Sequence, residues 1–209
     1  MKIYIRITIV TLIVLLIAVE NNSAGEKGIF GVFRGTDPVY SLSQFDNHLC
    51  FRYQKFLVAT KDLSDRVGSD IFVKKNDDKY NKFTPCEKII SECDFKIKNE
   101  WAEYFMGIYK HYLFIDSGTG PTPRGLIIYN LNTKNKVFDS EYSDPVFIDA
   151  KGILSFWITS EIPATEKNCP EYSKNRSWGL GSAIEKKVLL NLSDLSLSAT
   201  GETRCSSRQ

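Results

Sequence analysis

Gly125-Leu126-Ile127-Ile128-Tyr129-Asn130-Leu131 is followed by Asn132-Thr133-Lys134-Asn135, and the chain then returns through Lys136 to Tyr142 with Val137 and Phe138. The first run is short, apolar and rich in β-branched and aromatic residues. Four polar residues turn the chain, and a second run comes back. A buried helix needs a longer apolar stretch, so the pattern is that of a β-hairpin. Leu189-Leu190-Asn191-Leu192-Ser193-Asp194-Leu195 repeats the phrasing.

Working outward, similar runs follow one another. Phe95 and Ile97 alternate with Lys96 and Lys98. Tyr104 to Tyr109 and Tyr112 to Asp116 bracket the polar pair Lys110-His111. Ser143-Asp144-Pro145 reads as a turn before a short strand, Val146-Phe147-Ile148. Ile153 to Thr159 is another strand, and Lys187 to Leu192 with Leu195 to Ser198 closes the set after a loop at 161–182. Upstream, strands are expected at Gly28 to Arg34, Phe56 to Thr60 and Ile71 to Lys74, with a solvated turn over Lys74 to Lys79. A parallel sheet would need crossovers of about a dozen residues between strands, and there is no room for them. The expectation is a mostly-β fold of antiparallel sheets: a sandwich, an irregular barrel or propeller-like hairpins. No fixed repeat period is present. Thr84-Pro85-Cys86-Glu87 places Thr at N-cap, Pro at N1 and Glu at N3, which predicts one short helix near 85–93.

The chain has 209 residues, 43% hydrophobic and 25% charged, with a net charge of +2. This composition belongs to a globular protein and excludes collagen, coiled coil and disorder as whole-chain readings. Proteins that work on phosphate backbones carry a basic excess or stripe, so no nucleic-acid partner is expected. Residues 1–24 read as a signal peptide. Lys2 and Arg6 precede the apolar run Ile7 to Val19, which is shorter than the roughly 20 residues that span a bilayer, and Ala24 suits a cut before Gly25. Residues 25–209 are then a single mostly-β domain of near-neutral charge, secreted or periplasmic, with no membrane segment after cleavage.

The five cysteines, Cys50, Cys86, Cys93, Cys169 and Cys205, all follow residue 24, as expected of disulfides formed after export. A helix over 85–93 puts Cys86 and Cys93 about 10 Å apart, beyond the roughly 7 Å that a bridge allows. Cys50 is then a buried hydrophobe or a partner for Cys86 or Cys93. Cys169 with Cys205 would tie down the C-terminal tail. The odd count leaves at least one thiol free or intermolecular. There is no C-x-x-C pair, and His48 and His111 are isolated, so neither a metal nor a cofactor is expected.

The segment Phe114-Ile115-Asp116-Ser117-Gly118-Thr119-Gly120-Pro121-Thr122-Pro123-Arg124-Gly125 stands out between two apolar strands. Its Asp-Ser-Gly-Thr resembles the catalytic loop of aspartic proteases, pepsin-like and retroviral. That resemblance implies a catalytic Asp116, paired with a second Asp so that the two share a proton. No second Asp-Ser/Thr-Gly occurs in the chain. Alternatively, Gly118 and Gly120 can present backbone N–H groups beside Arg124 as an anion nest or glycan receptor. Otherwise the segment is a rigid hairpin loop, with Asp116 ordering the turn and Arg124 paired to a carboxylate. Trp101, Tyr104, Phe105, Tyr109, Tyr112 and Phe114 form an aromatic-dense run whose default role is core packing; an exposed share would suit a protein or glycan contact. Tyr172, Arg176 and Trp178 lie in the long loop and are of the types enriched at interface hot spots. Asn21, Asn175 and Asn191 begin N-x-Ser sequons. Together these features point to an exported β-rich protein that acts by binding a protein partner, as an inhibitor, neutraliser or envelope accessory, rather than by catalysis.

Overall fold

A computed structural model describes residues 33–45, 47–77, 84–121 and 123–209, so the proposed signal peptide and most of the strand expected over Gly28 to Arg34 lie outside the described residues; Phe33 and Arg34 are described and are not strand. The chain forms two antiparallel sheets, each an up-and-down meander. The first holds β1 (Ser41–Phe45), β2 (His48–Arg52), β3 (Phe56–Asp62), β4 (Ser69–Lys75) and β5 (Phe95–Ile97) in sequence order. The second runs from β6 (Glu103–Tyr109) through β7 (Tyr112–Ser117), β8 (Arg124–Asn130), β9 (Asn135–Ile148), β10 (Ile153–Thr159) and β11 (Gly181–Asn191) to β12 (Ser196–Arg208). Two short helices accompany them, α1 (Cys86–Ser91) and α2 (Tyr172–Ser177). Of the three architectures open to the sequence, the sandwich is the one formed.

Strand side chains alternate between faces, and that rule assigns three cores. Phe56 and Val58 of β3 and Ile71 and Val73 of β4 point at the second sheet, where they meet Phe105, Ile108, Leu113 and Ile115. Their neighbours Leu57, Ala59 and Phe72 point the other way and are covered by α1 through Ile89. In β7 the odd residues face the first sheet while Tyr112 and Phe114 face a third core. Strands buried on both faces carry unbroken apolar runs, which is why Phe56 to Thr60 and Tyr112 to Asp116 are buried at every position.

The third core exists because the second sheet folds over itself. Residues 135–142 of β9 pair with β8, while Ser143, Phe147 and Ile148 pair with β10. Met106, Phe114, Leu126 and Ile128 thus face Ile148, Leu154, Phe156 and Val188 across one interior. The segment 33–37 closes the seam: Phe33 and Asp37 donate N–H to the Met106 and Ile108 carbonyls, and Ile148 donates to Arg34 O at 3.2 Å. Gly35, at φ 93°, is pressed there so closely that a Cβ would run into the Ile148 carbonyl.

Several elements differ from the sequence reading. Ser143-Asp144-Pro145 is not a turn between two strands; it is the middle of β9. The C-terminal tail is not loose, since β12 runs through it to Arg208. β1, β2 and α2 have no clear pattern in sequence. The first helix begins one residue late, with Pro85 as N-cap and no side-chain cap, so Thr84 does not cap it; buried Arg52 instead donates to the Thr84 carbonyl. The repeated hairpin phrase has a common cause. Asn130 accepts N–H from Asn132 at 2.9 Å and Asn191 accepts from Ser193 at 3.0 Å; Lys134 (φ 62°) and Leu195 (φ 60°) then complete equivalent four-residue turns.

Candidate functional site

The crease in β9, Tyr142-Ser143-Asp144, is held from both sides by a buried carboxylate. Alternation along β7 turns Asp116 inward with Phe114, leaving it only 5% exposed. Tyr142 O–H donates to Asp116 Oδ1 at 2.8 Å, and Arg124 Nη2 lies 2.6 Å from Oδ2. Arg124 also donates to Gly118 O at 2.9 Å and lies over the Tyr104 ring at 5.8 Å. Burial and the Asp116 carboxylate both push the Tyr142 phenol far above its ordinary pKa, so it stays a hydrogen-bond donor.

On the other side Glu185 of β11 is fully buried. Arg204 Nε approaches its Oε2 at 2.5 Å and Arg208 Nη2 its Oε1 at 2.8 Å. Burial by itself would raise its pKa, but the Ser143 hydroxyl and the two guanidiniums beside it lower it further, and the net direction is down. Arg204 also donates to the Asp144 carbonyl at 2.7 Å and stacks over Trp157 at 4.4 Å. Sequence reading picked out the first cluster through its loop. It missed the second, because Glu185 lies 19 residues before Arg204 with nothing to distinguish these residues from surface charges.

The aspartic-protease resemblance implies a second carboxylate at Asp116; here a guanidinium and a phenol occupy its oxygens. The nest reading needs open donors. Gly118 N–H is bonded to Ala102 O at 3.1 Å, and Arg124 is turned inward onto Asp116. Gly120 remains exposed. What the loop does is fasten a neighbouring turn. Ser117 Oγ donates to Trp101 O at 3.1 Å, Trp101 N–H donates to Glu103 Oε2 at 2.7 Å, and buried Asn99 accepts from Glu103 N–H at 2.9 Å. Asn99 Nδ2 reaches across to Val67 O at 2.7 Å, which joins the loop 63–68 to the same unit. Gly68 lies so close that a Cβ would meet Asn99 Oδ1 at 2.6 Å and Ala102 Cα at 2.8 Å. Ala102 sits in the left-handed region at φ 50°.

The product of this bracing is an indole held in water. Trp101 is 69% exposed and Val67 is exposed beside the same backbone, while Phe105, Tyr112 and Phe114 of the aromatic run are core. The sequence signal for the difference is position: Trp101 follows Asn99-Glu100 and precedes the strand, outside its alternation.

The second segment of interest, 161–180, is anchored by Cys169, whose Cα lies 5.1 Å from that of Cys205 in a disulfide. Asn175 is buried, with Nδ2 donating to Ser182 Oγ at 2.9 Å, so the nitrogen of that sequon is engaged. Trp178 is 64% exposed with Lys174 Nζ 4.7 Å over its ring; Arg176 is exposed and Tyr172 half-buried. Glu171 lies within 4.8 Å of Cys169 and Cys205, but both sulfurs belong to the bridge and neither is a thiolate ligand. Cys50 pairs with Cys86, their Cα atoms 5.8 Å apart, and Cys93 is free. No helix among the described residues is long and apolar enough to cross a membrane.

No family model, curated protein or solved structure matches the chain.

Proposed function

We propose that this is an exported binding protein that engages a protein partner through the surface formed by the 63–68, 98–102 and 118–121 loops, with Trp101 as its anchor. The observation that carries this reading is the 69% exposed indole on a turn whose backbone is fixed by the side chains of Asn99, Glu103 and Ser117. Tryptophans are enriched among the residues that carry the binding energy of interfaces. They bury a large area in an interface, and a rigid support lowers the ordering entropy that binding costs. Trp178, with Arg176 and Tyr172 on the disulfide-anchored segment, offers a second contact of the same kind. Export rests on Lys2, Arg6 and the run Ile7 to Val19, and two cysteine pairs at bridging distance suit an oxidising compartment, secreted or periplasmic.

The test is affinity capture from the exporting cell's envelope or medium, with wild type and Trp101→Ala side by side. A partner held by the wild type should be held at least tenfold more weakly by the variant, the loss expected of a hot-spot residue. The melting temperature should be unchanged, because the indole packs on little. Equal retention by both proteins would remove Trp101 as the anchor.

A further inference from the structure

At the end of the molecule bearing the β8–β9 turn, the seam between the two sheets opens into a groove of about 430 Å³. Its floor is apolar: Phe56 from the start of β3, Val73 from β4, Phe95 from β5 and Leu131 from the β8–β9 turn. Its rim carries the ammonium groups of Lys74, Lys75 and Lys134. Among the described lining residues the carboxylates are Asp77 and Asp94, against three lysines. Asp94 is already used inside the fold. Its Oδ1 takes Lys74 Nζ at 2.9 Å, its Oδ2 takes the Lys75 backbone N–H at 2.8 Å, and its carbonyl takes Lys134 Nζ at 2.7 Å. Those bonds fix two cations at the mouth. The exposed Lys75 ammonium has no ion-pair partner among the described residues.

We infer that this groove binds a small amphipathic anion, with the apolar body on Phe56, Val73, Phe95 and Leu131 and one carboxylate, sulfate or phosphate group at the lysine rim. The volume is that of small-molecule sites, which pair an apolar lining with a few oriented polar groups. A hydrocarbon or aromatic body removes the floor from water. The headgroup meets the exposed Lys75 ammonium beside two others, of Lys74 and Lys134, whose positions are already set, so little ordering of those two is required. A cationic amphiphile would meet like charges at the same rim, and a neutral sugar would leave the floor poorly matched. The inference is independent of the Trp101 surface, which is built from other loops.

The probe is anilinonaphthalene sulfonate, an anionic aromatic amphiphile whose fluorescence rises in apolar surroundings, titrated into the folded protein. Saturable one-to-one binding is expected, displaced by dodecanoate below its micelle concentration and not by dodecyltrimethylammonium. Lys75→Glu should weaken the probe at least tenfold. Asn132→Trp should abolish binding by filling the mouth. Asn132 contributes its backbone N–H to the turn, so that substitution spares the fold, and an unchanged melting temperature verifies this for both variants. Trp101→Ala should bind the probe as the wild type does. Anionic vesicles in place of free dodecanoate separate the two sources of such a headgroup: sedimentation with vesicles that is lost in Lys75→Glu would assign the site to a lipid. Absence of saturable binding, equal displacement by the cationic amphiphile, or wild-type affinity in both groove variants would overturn the inference.

Discussion

Asp116 and Arg124 are an ion pair whose partners would each be costly alone. Breaking one side of a buried pair leaves the other charge desolvated and unmatched, a loss of about 3 kcal/mol or more. Asp116→Asn keeps the size of the side chain and removes its charge. It should therefore lower stability by that order in denaturant unfolding, whereas wild type and variant alike should show no proteolysis at any acid pH. Acid proteolysis by the purified wild type that disappears in Asp116→Asn would mean instead that the carboxylate is reactive. Glu185 makes a pH-dependent contribution of definite sign. Its folded pKa is held below the ordinary 4.5, so the unfolded chain binds the proton more readily. The stability it confers is complete above that ordinary value and is lost as pH falls through the lowered folded one. Glu185→Gln should accordingly flatten the acid limb of the stability curve below about pH 4.5.

Turns set the register of each meander, and two of them give opposite predictions. Lys110 occupies the first position of the two-residue β6–β7 turn at φ 57°, where glycine is the favoured residue. Lys110→Gly should relieve that conformation and stabilise by up to about 1 kcal/mol, roughly 3 °C in melting temperature. Gly35→Ala should do the reverse. A Cβ there collides with the Ile148 backbone at the strap that closes the folded sheet, and a loss on the order of 3 kcal/mol is expected from the strain. A thermal melt of both variants reads the two signs directly, and a neutral Gly35→Ala would mean that the strap is not tightly seated.

For the whole molecule, the cysteines divide two ways. Non-reducing peptide maps should contain Cys50 joined to Cys86 and Cys169 joined to Cys205, with Cys93 as the thiol left for alkylation or a second chain. The Cys169–Cys205 bridge does more than hold a loose end. Cys205 lies within β12, opposite Ile184 of β11, so what it restrains is the 161–180 segment. Replacing both by Ser should cost up to roughly 4 kcal/mol in the chain-entropy account. Faster amide exchange should then appear in 161–180 while β12 keeps its protection. Equal loosening of β12 would return the bridge to the role of a tail clamp. Intact-mass measurement of the extracytoplasmic protein should give a chain beginning near Gly25.

Local rules were enough for much of this fold. Period-two runs and polar turns in Phe95 to Ser198 encode strands through side-chain alternation, and the paired Asn-Leu phrases encode equivalent turns because an Asn side chain bonds the backbone two residues on. Helix spacing alone kept Cys86 from Cys93. Other features depend on groups far apart in sequence. Ser143-Asp144-Pro145 has the composition of a turn, yet it continues β9 as a creased strand, with Arg204 bound to the Asp144 carbonyl and strands paired on both sides of it. Beyond Ser198, β12 is polar and largely exposed, with no hydrophobic period to mark it, and is a strand because β11 offers it a ladder. The aromatic run from Trp101 to Phe114 reads as uniform, and only the bracing of Asn99, Glu103 and Ser117 puts one of its members into water. The sequence by itself determined the β class and most of the strands and turns after Phe95, since those follow from local conformational preference. Tertiary structure decided which charges are buried, where the sheet folds over and which tryptophan is presented, since burial is settled by residues that meet only after the chain has closed on itself.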